Sequence, residues 1–193
     1  RKNDEESEAE RHEALLAVSL SWRNLGVGRV RERFANDRQI VLVAVGQDGR
    51  ALGYASDALK RDREVVQTAV QDDGWNLRWA DKSLQGDRAF ALEVVRRTGI
   101  ALKWTSESCR SDPEVVLAAV QQDGLALQYA AENCRSDPEI VLQAVLQAGP
   151  ALMFAAENCL SDRKIILAAV RKYDLALAYA AENCRGDREI VLA

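Results

Sequence analysis

The chain has 193 residues, 48% of them hydrophobic and 29% charged, with a net charge of −4. Such a composition supports a sizeable folded core and argues against disorder, while the near balance of charge excludes a chain that holds polyanions by net charge alone. No apolar stretch approaches the roughly 18 residues that a membrane-spanning helix needs.

In chain order, residues 1–11 form a charged extension with no initiator Met and no apolar signal region, so a signal peptide is expected to have been removed or never to have existed. Residues 12–36 read as a degenerate repeat in the same register as the rest of the chain. His12 stands where an aspartate caps the later repeats, Leu15, Leu16 and Leu20 stand on their core positions, and Asn24 stands on their turn glycine. End units of repeat arrays are commonly atypical, so this one is expected to act as a cap.

From residue 37 to residue 186 the sequence repeats six times with a period of 25 residues and no insertion. Asp37, Asp62, Asp87, Asp112, Asp137, Asp162 and Asp187 keep that period, as do Val45 through Val170 and Leu52 through Leu177. In the fourth repeat of this series, Asp112 suits a helix N-cap, Pro113 the first helical position and Glu114 the positive end of the helix dipole. Val115, Val116, Ala119 and Val120 then fall on one helical face, widened by Leu117. Gly124 is expected to stop this helix in a left-handed turn. A second helix is expected through LALQYAAENCR, with Leu127, Tyr129, Ala130 and Cys134 inward and Glu132 paired with Arg135 outside. Residues 187–193 begin a further repeat, and we expect the polypeptide to continue with more repeats or a partner to cover this end.

Two short antiparallel helices cannot bury their faces alone, so the expected fold is an all-α, right-handed-type solenoid of 25-residue helix–turn–helix repeats. The pattern DGxALxYAxxxxRxDxEVVLAAV resembles the tandem helical repeats grouped as domain of unknown function 4116 (DUF4116), well over residues 37–193 and weakly over 12–36. That resemblance implies tandem arrays, often in large proteins and abundant in microalgae, with an organellar assembly as one setting; it implies no established activity and no catalytic motif. Leucine-rich-variant repeats, with a similar period but a 3₁₀ second element, are the alternative; the length and alanine content of ALQYAAENCR favour an α-helix.

Cys109, Cys134, Cys159 and Cys184 share one repeat position, where earlier repeats carry Leu59 and Leu84. Stacked one repeat apart, roughly 9–10 Å, they are too far apart for a disulfide or a shared zinc ion and read as buried core. Four unpaired thiols favour a reducing compartment, cytosol or organelle stroma or matrix. Tyr54, Trp79, Trp104, Tyr129, Phe154 and Tyr179 form a column that could stack bases but reads better as core or groove lining. A nucleic-acid patch would draw on Arg23, Arg29, Arg31, Arg33 and Arg38, the densest basic cluster. His12, the only histidine, has no triad partner with sequence support, and the aspartate row has a structural task at helix N-termini, so neither an enzyme nor a cofactor is expected.

Positions free of packing duty are those where repeats differ. Arg50, Trp75, Ile100, Leu125, Pro150 and Leu175 follow the turn; Gly53, Arg78, Lys103, Gln128, Met153 and Ala178 come three residues later. From these rows, Arg50, Trp75, Arg78, Ile100, Lys103, Leu125, Gln128 and Met153 are the candidate partner-binding strip. The function expected is a non-catalytic scaffold or protein–protein interaction module, a peripheral subunit or assembly factor of a larger complex, with an RNA-binding repeat array as the alternative.

Overall fold

The computed structural model describes residues 2–192, and the side chains of all of these except 2–7 and 29. Each repeat from residue 37 onward starts with the expected cap. Asp112 is extended, at φ −83° and ψ 116°, and its carboxylate accepts from the Glu114 and Val115 amides. These are orphan donors of the first turn, and satisfying them fixes where the lead helix Pro113–Gln122 begins. Asp37, Asp62, Asp137, Asp162 and Asp187 cap in the same two-amide way, and Asp87 accepts from the Phe90 amide. Val115, Val116, Ala119 and Val120 are buried on the lead helix, as read from their spacing.

The second half of the repeat departs from expectation. LALQYAAENCR is not one α-helix: a 3₁₀ helix, Gly124–Tyr129, is followed by extended backbone at Ala130, φ −68° and ψ 151°, and then a four-residue helix, Glu132–Arg135. The break has a tertiary cause. Ala131 donates its amide to the Arg110 carbonyl of the preceding repeat at 2.9 Å, a donor that a continuous helix would use internally. The same rung joins Ser56 to Ala35, Asp81 to Lys60, Ser106 to Gln85, Ala156 to Arg135 and Ala181 to Leu160, at 2.8–2.9 Å. Glu132 and Arg135 do pair, at 2.6 Å.

The turn is corrected too. Asp123 is extended, φ −145° and ψ 109°, and ends the lead helix while its carboxylate caps the 3₁₀ helix through the Leu125 amide. Gly124 is therefore not a left-handed stop; among the described residues only Gly28 has a positive φ, of 41°. Glycine is required at Gly124 by space, since a Cβ there would lie 2.3 Å from the Ala144 carbonyl oxygen of the next lead helix. Gly49 and Gly99 face the Ala69 and Ala119 carbonyls in the same way.

The chain divides into two compact bodies, one ending at Leu84 and the other starting at Gln85. In the C-terminal body the lead helices Arg88–Val95, Pro113–Gln122, Pro138–Gln147 and Arg163–Lys172 pack side by side. The 3₁₀ helices Gly99–Trp104, Gly124–Tyr129, Gly149–Phe154 and Asp174–Tyr179 form a second layer, and each lead helix from Pro113 onward rests on its own 3₁₀ helix and on the preceding one. The buried valines, isoleucines, leucines and cysteines between these layers form one continuous core. The architecture is an all-α repeat solenoid.

In the N-terminal body, Lys2–Leu20 is a single helix that runs through His12 without a cap. Leu16 and Leu20 are 54% and 86% exposed, whereas Ala14, Val18 and Leu25 are buried, so the core register read from the 25-residue period is corrected. Val18 and Leu25 lie 27 residues before Val45 and Leu52, and Arg11 reaches Asp37 as Arg38, 27 residues on, reaches Asp62. Asn24 donates to Ala17 as Asn76 donates to Ala69. The extra length sits in the helix Gly28–Phe34, which has seven residues where the next repeat has the three-residue Leu59–Arg61.

Candidate interaction surface

Because Gly124 and its equivalents press against the next lead helix, the residue that follows each one starts the outer side of the 3₁₀ layer. In the C-terminal body this places Ile100 half-buried, Leu125 37% exposed and Leu175 exposed in one row. In the parallel row, Lys103 is half-buried, Gln128 is exposed with its amide donating to the Leu125 carbonyl, and Met153 is 50% exposed. In the N-terminal body, Arg50 is exposed, Trp75 half-buried and Arg78 exposed.

The aromatic column closes each 3₁₀ helix and is a surface feature as much as a core one. Tyr54, Trp79 and Tyr179 are exposed, and Trp104, Tyr129 and Phe154 half-buried. In the N-terminal body the rings lean over the preceding repeat: a Cβ at Gly53 would touch the Trp79 ring at 3.3 Å, and one at Gly26 would meet Tyr54 at 2.8 Å. Cations interleave. Lys103 Nζ lies 5.0 Å from the Trp104 ring and 5.6 Å from Tyr129, and Arg78 lies 4.9 Å from Trp79. The Arg23 and Arg50 guanidinium carbons both lie 5.2 Å from the Trp22 ring. Arg50 also holds the Asp48 carboxylate, whose pKa it lowers by hydrogen bonding against a smaller opposing effect of burial.

The basic cluster of the first repeat is not one patch of uncommitted charge. Arg33 pairs with Glu10, and Arg38 holds both Asp62 and Glu64. Arg23 stacks on Trp22 and Arg31 is exposed, while the Arg29 side chain lies outside the described residues. The Arg38 arrangement recurs: Arg88 holds Asp112 and Glu114, and Arg163 holds Asp187 and Glu189. The guanidinium of each lowers the pKa of the neighbouring cap aspartate. The cap row therefore ties successive repeats together as well as starting helices.

The cysteines are buried and free on the short third element. The Sγ atoms of Cys109, Cys159 and Cys184 point to carbonyls of Gly86, Ser136 and Ser161 in the preceding repeat, at 3.5–3.7 Å. Burial, aided by the charges of Asp137 and Asp112, pushes the Cys134 thiol up to about 11. Sequence reading missed their companions. Asn133, Asn158 and Asn183 donate to the carbonyls of Ser111, Ser136 and Ser161, a clamp whose signal is the triplicated ENC.

The family described as Domain of unknown function (DUF4116) matches residues 29–60, 37–85, 62–110, 87–135, 112–159 and 162–193, most of these windows opening on a capping aspartate. No curated protein matches the chain, and no solved structure matches it.

Proposed function

Since this chain belongs to the DUF4116 family, whose description carries no activity, we propose from its surface that it is a non-catalytic interaction module, a scaffold or peripheral subunit that docks a protein partner on the 3₁₀ layer. The observation that carries this reading is the exposure of Leu125 and Met153 in the C-terminal body, apolar side chains that the packing leaves in water. Apolar and aromatic anchors of this kind dominate binding energy at protein interfaces. Among the described residues no helix is long and apolar enough to cross a membrane.

The test is capture of the tagged chain from native lysate, with and without nuclease, beside the Leu125→Glu/Met153→Glu variant. Protein partners that survive nuclease and are lost by the variant, with circular dichroism unchanged, support the reading. A second reading, RNA binding, is favoured by Arg23 and Arg50 around Trp22 and Arg78 on Trp79, because stacked rings beside cations suit single strands. Recovery of RNA, with partners that vanish on nuclease treatment, would put that reading first.

A further inference from the structure

The opposite layer carries a second feature, visible when two equivalent grooves are compared. Between the lead helices Arg88–Val95 and Pro113–Gln122, an open groove of about 330 Å³ is lined by Leu117 and Ala118 with Arg96, Glu114 and Gln121 around them. Fifty residues on, between Pro138–Gln147 and Arg163–Lys172, the same groove holds about 620 Å³. Its Leu167 and Ala168 match Leu117 and Ala118, but Leu146 stands for Arg96, Lys164 for Glu114 and Arg171 for Gln121. One repeat geometry has thus acquired an apolar wall and a cationic rim, and Leu142 extends the floor.

Part of the rim charge is left without an ion-pair partner among the described residues. Arg163 is held by Asp187 and Glu189, and the Asp162 carboxylate is engaged by the Lys164 and Ile165 amides. Among the described residues, Lys164 and Arg171 make no ion pair. Lys172, beside Arg171 in the last turn, donates to the Leu146 carbonyl and adds a further positive charge at that end. Leu146 itself is 46% exposed.

We propose that this groove docks an amphipathic helix of a partner protein, with leucine-type side chains on the Leu142, Leu146 and Leu167 floor and glutamates or aspartates facing Lys164 and Arg171. Charge complementarity selects the acidic flank. The floor selects a helix over a bare polyanion, because a nucleic-acid backbone gains nothing from three leucines. Lead helices of ten residues are about 15 Å long, which matches two to three turns of a docked helix with anchors at i, i+3 or i+4, and i+7.

The experiment is selection of a messenger-RNA-displayed library of random 16-residue peptides against the 193-residue chain, followed by affinity measurement of the winners. Enriched peptides should carry Leu, Ile or Phe at helical spacing beside Asp or Glu. Their affinity should fall at least tenfold in Lys164→Glu/Arg171→Glu and in Leu146→Glu, with circular dichroism unchanged. The proposal is overturned if no peptide is enriched, or if the winners bind all variants equally. It is equally overturned if a 16-nucleotide oligouridylate, and no peptide, binds in a Lys164-dependent way.

Discussion

At the residue scale, Gly49, Gly99 and Gly124 are fixed by what lies opposite them and not by their own dihedrals. Gly124→Ala places a methyl 2.3 Å from the Ala144 carbonyl, a backbone atom that cannot step aside. We expect a loss of about 1–3 kcal/mol in urea unfolding. Gly46→Ala, with nothing within 4 Å of the added Cβ, should be neutral or gain about 0.5–1 kcal/mol. Equal effects at both sites would refute the close-approach explanation. The buried thiols give a second prediction. Cys134 is protonated in the fold up to about 11, whereas an unfolded cysteine ionises near ~8.5, so its contribution is complete below that value and is lost as pH climbs through 11. Native protein at pH 8 should react with Ellman's reagent only at the rate of local opening; four thiols reacting within seconds without denaturant would contradict the burial.

At the scale of elements, the arginine at the start of a lead helix links two caps. Arg88 holds Asp112 below the usual carboxylate range, so that contribution is present above ~3.9 and vanishes as pH falls through the depressed value. The melting temperature of Arg88→Ala should therefore lie below that of the unsubstituted chain at pH 7, with the gap narrowing as acid protonates Asp112. A gap that did not narrow in acid would mean the side chain acts by packing instead. The lead helix was legible in sequence because its determinants are local: an aspartate cap, a proline or arginine at the first position, and valines on one face. The second element was not. ALQYAAENCR has helix-forming composition, and what breaks it is the rung from Ala131 to Arg110, invisible to any window of neighbouring residues. A clue was nonetheless present in Asp48, Asp73 and Asp123, one residue before the glycine, where an aspartate caps the 3₁₀ start. The first repeat is offset by two residues from the 25-residue period: leucines at 15, 16 and 20 fit that period, yet the fold buries Ala14 and Val18. Of the candidate strip, sequence variation pointed to the rows; their exposure depends on the 3₁₀ geometry and could not be read beforehand.

At the scale of the molecule, repeats meet through contacts that recur with the period. Excising residues 112–136 would bring Ala156 to the register in which Ala131 now meets Arg110, and Asp137 to that of Asp112. The shortened chain should still unfold cooperatively, with a smaller denaturant slope because less surface is exposed. Excising 112–124 instead should abolish cooperative unfolding, since it removes a lead helix and leaves its 3₁₀ partner. If both deletions behave alike, the 25-residue segment is not the structural quantum.

The rungs have a mechanical consequence. They run from backbone to backbone, one per junction, and none depends on the identity of a side chain. Pulling on such an array loads each junction through the same kind of bond, so it would yield junction by junction, each failure releasing a stretch of slack of the same length while the neighbours stay shut. A tether built in this way absorbs tension in equal steps.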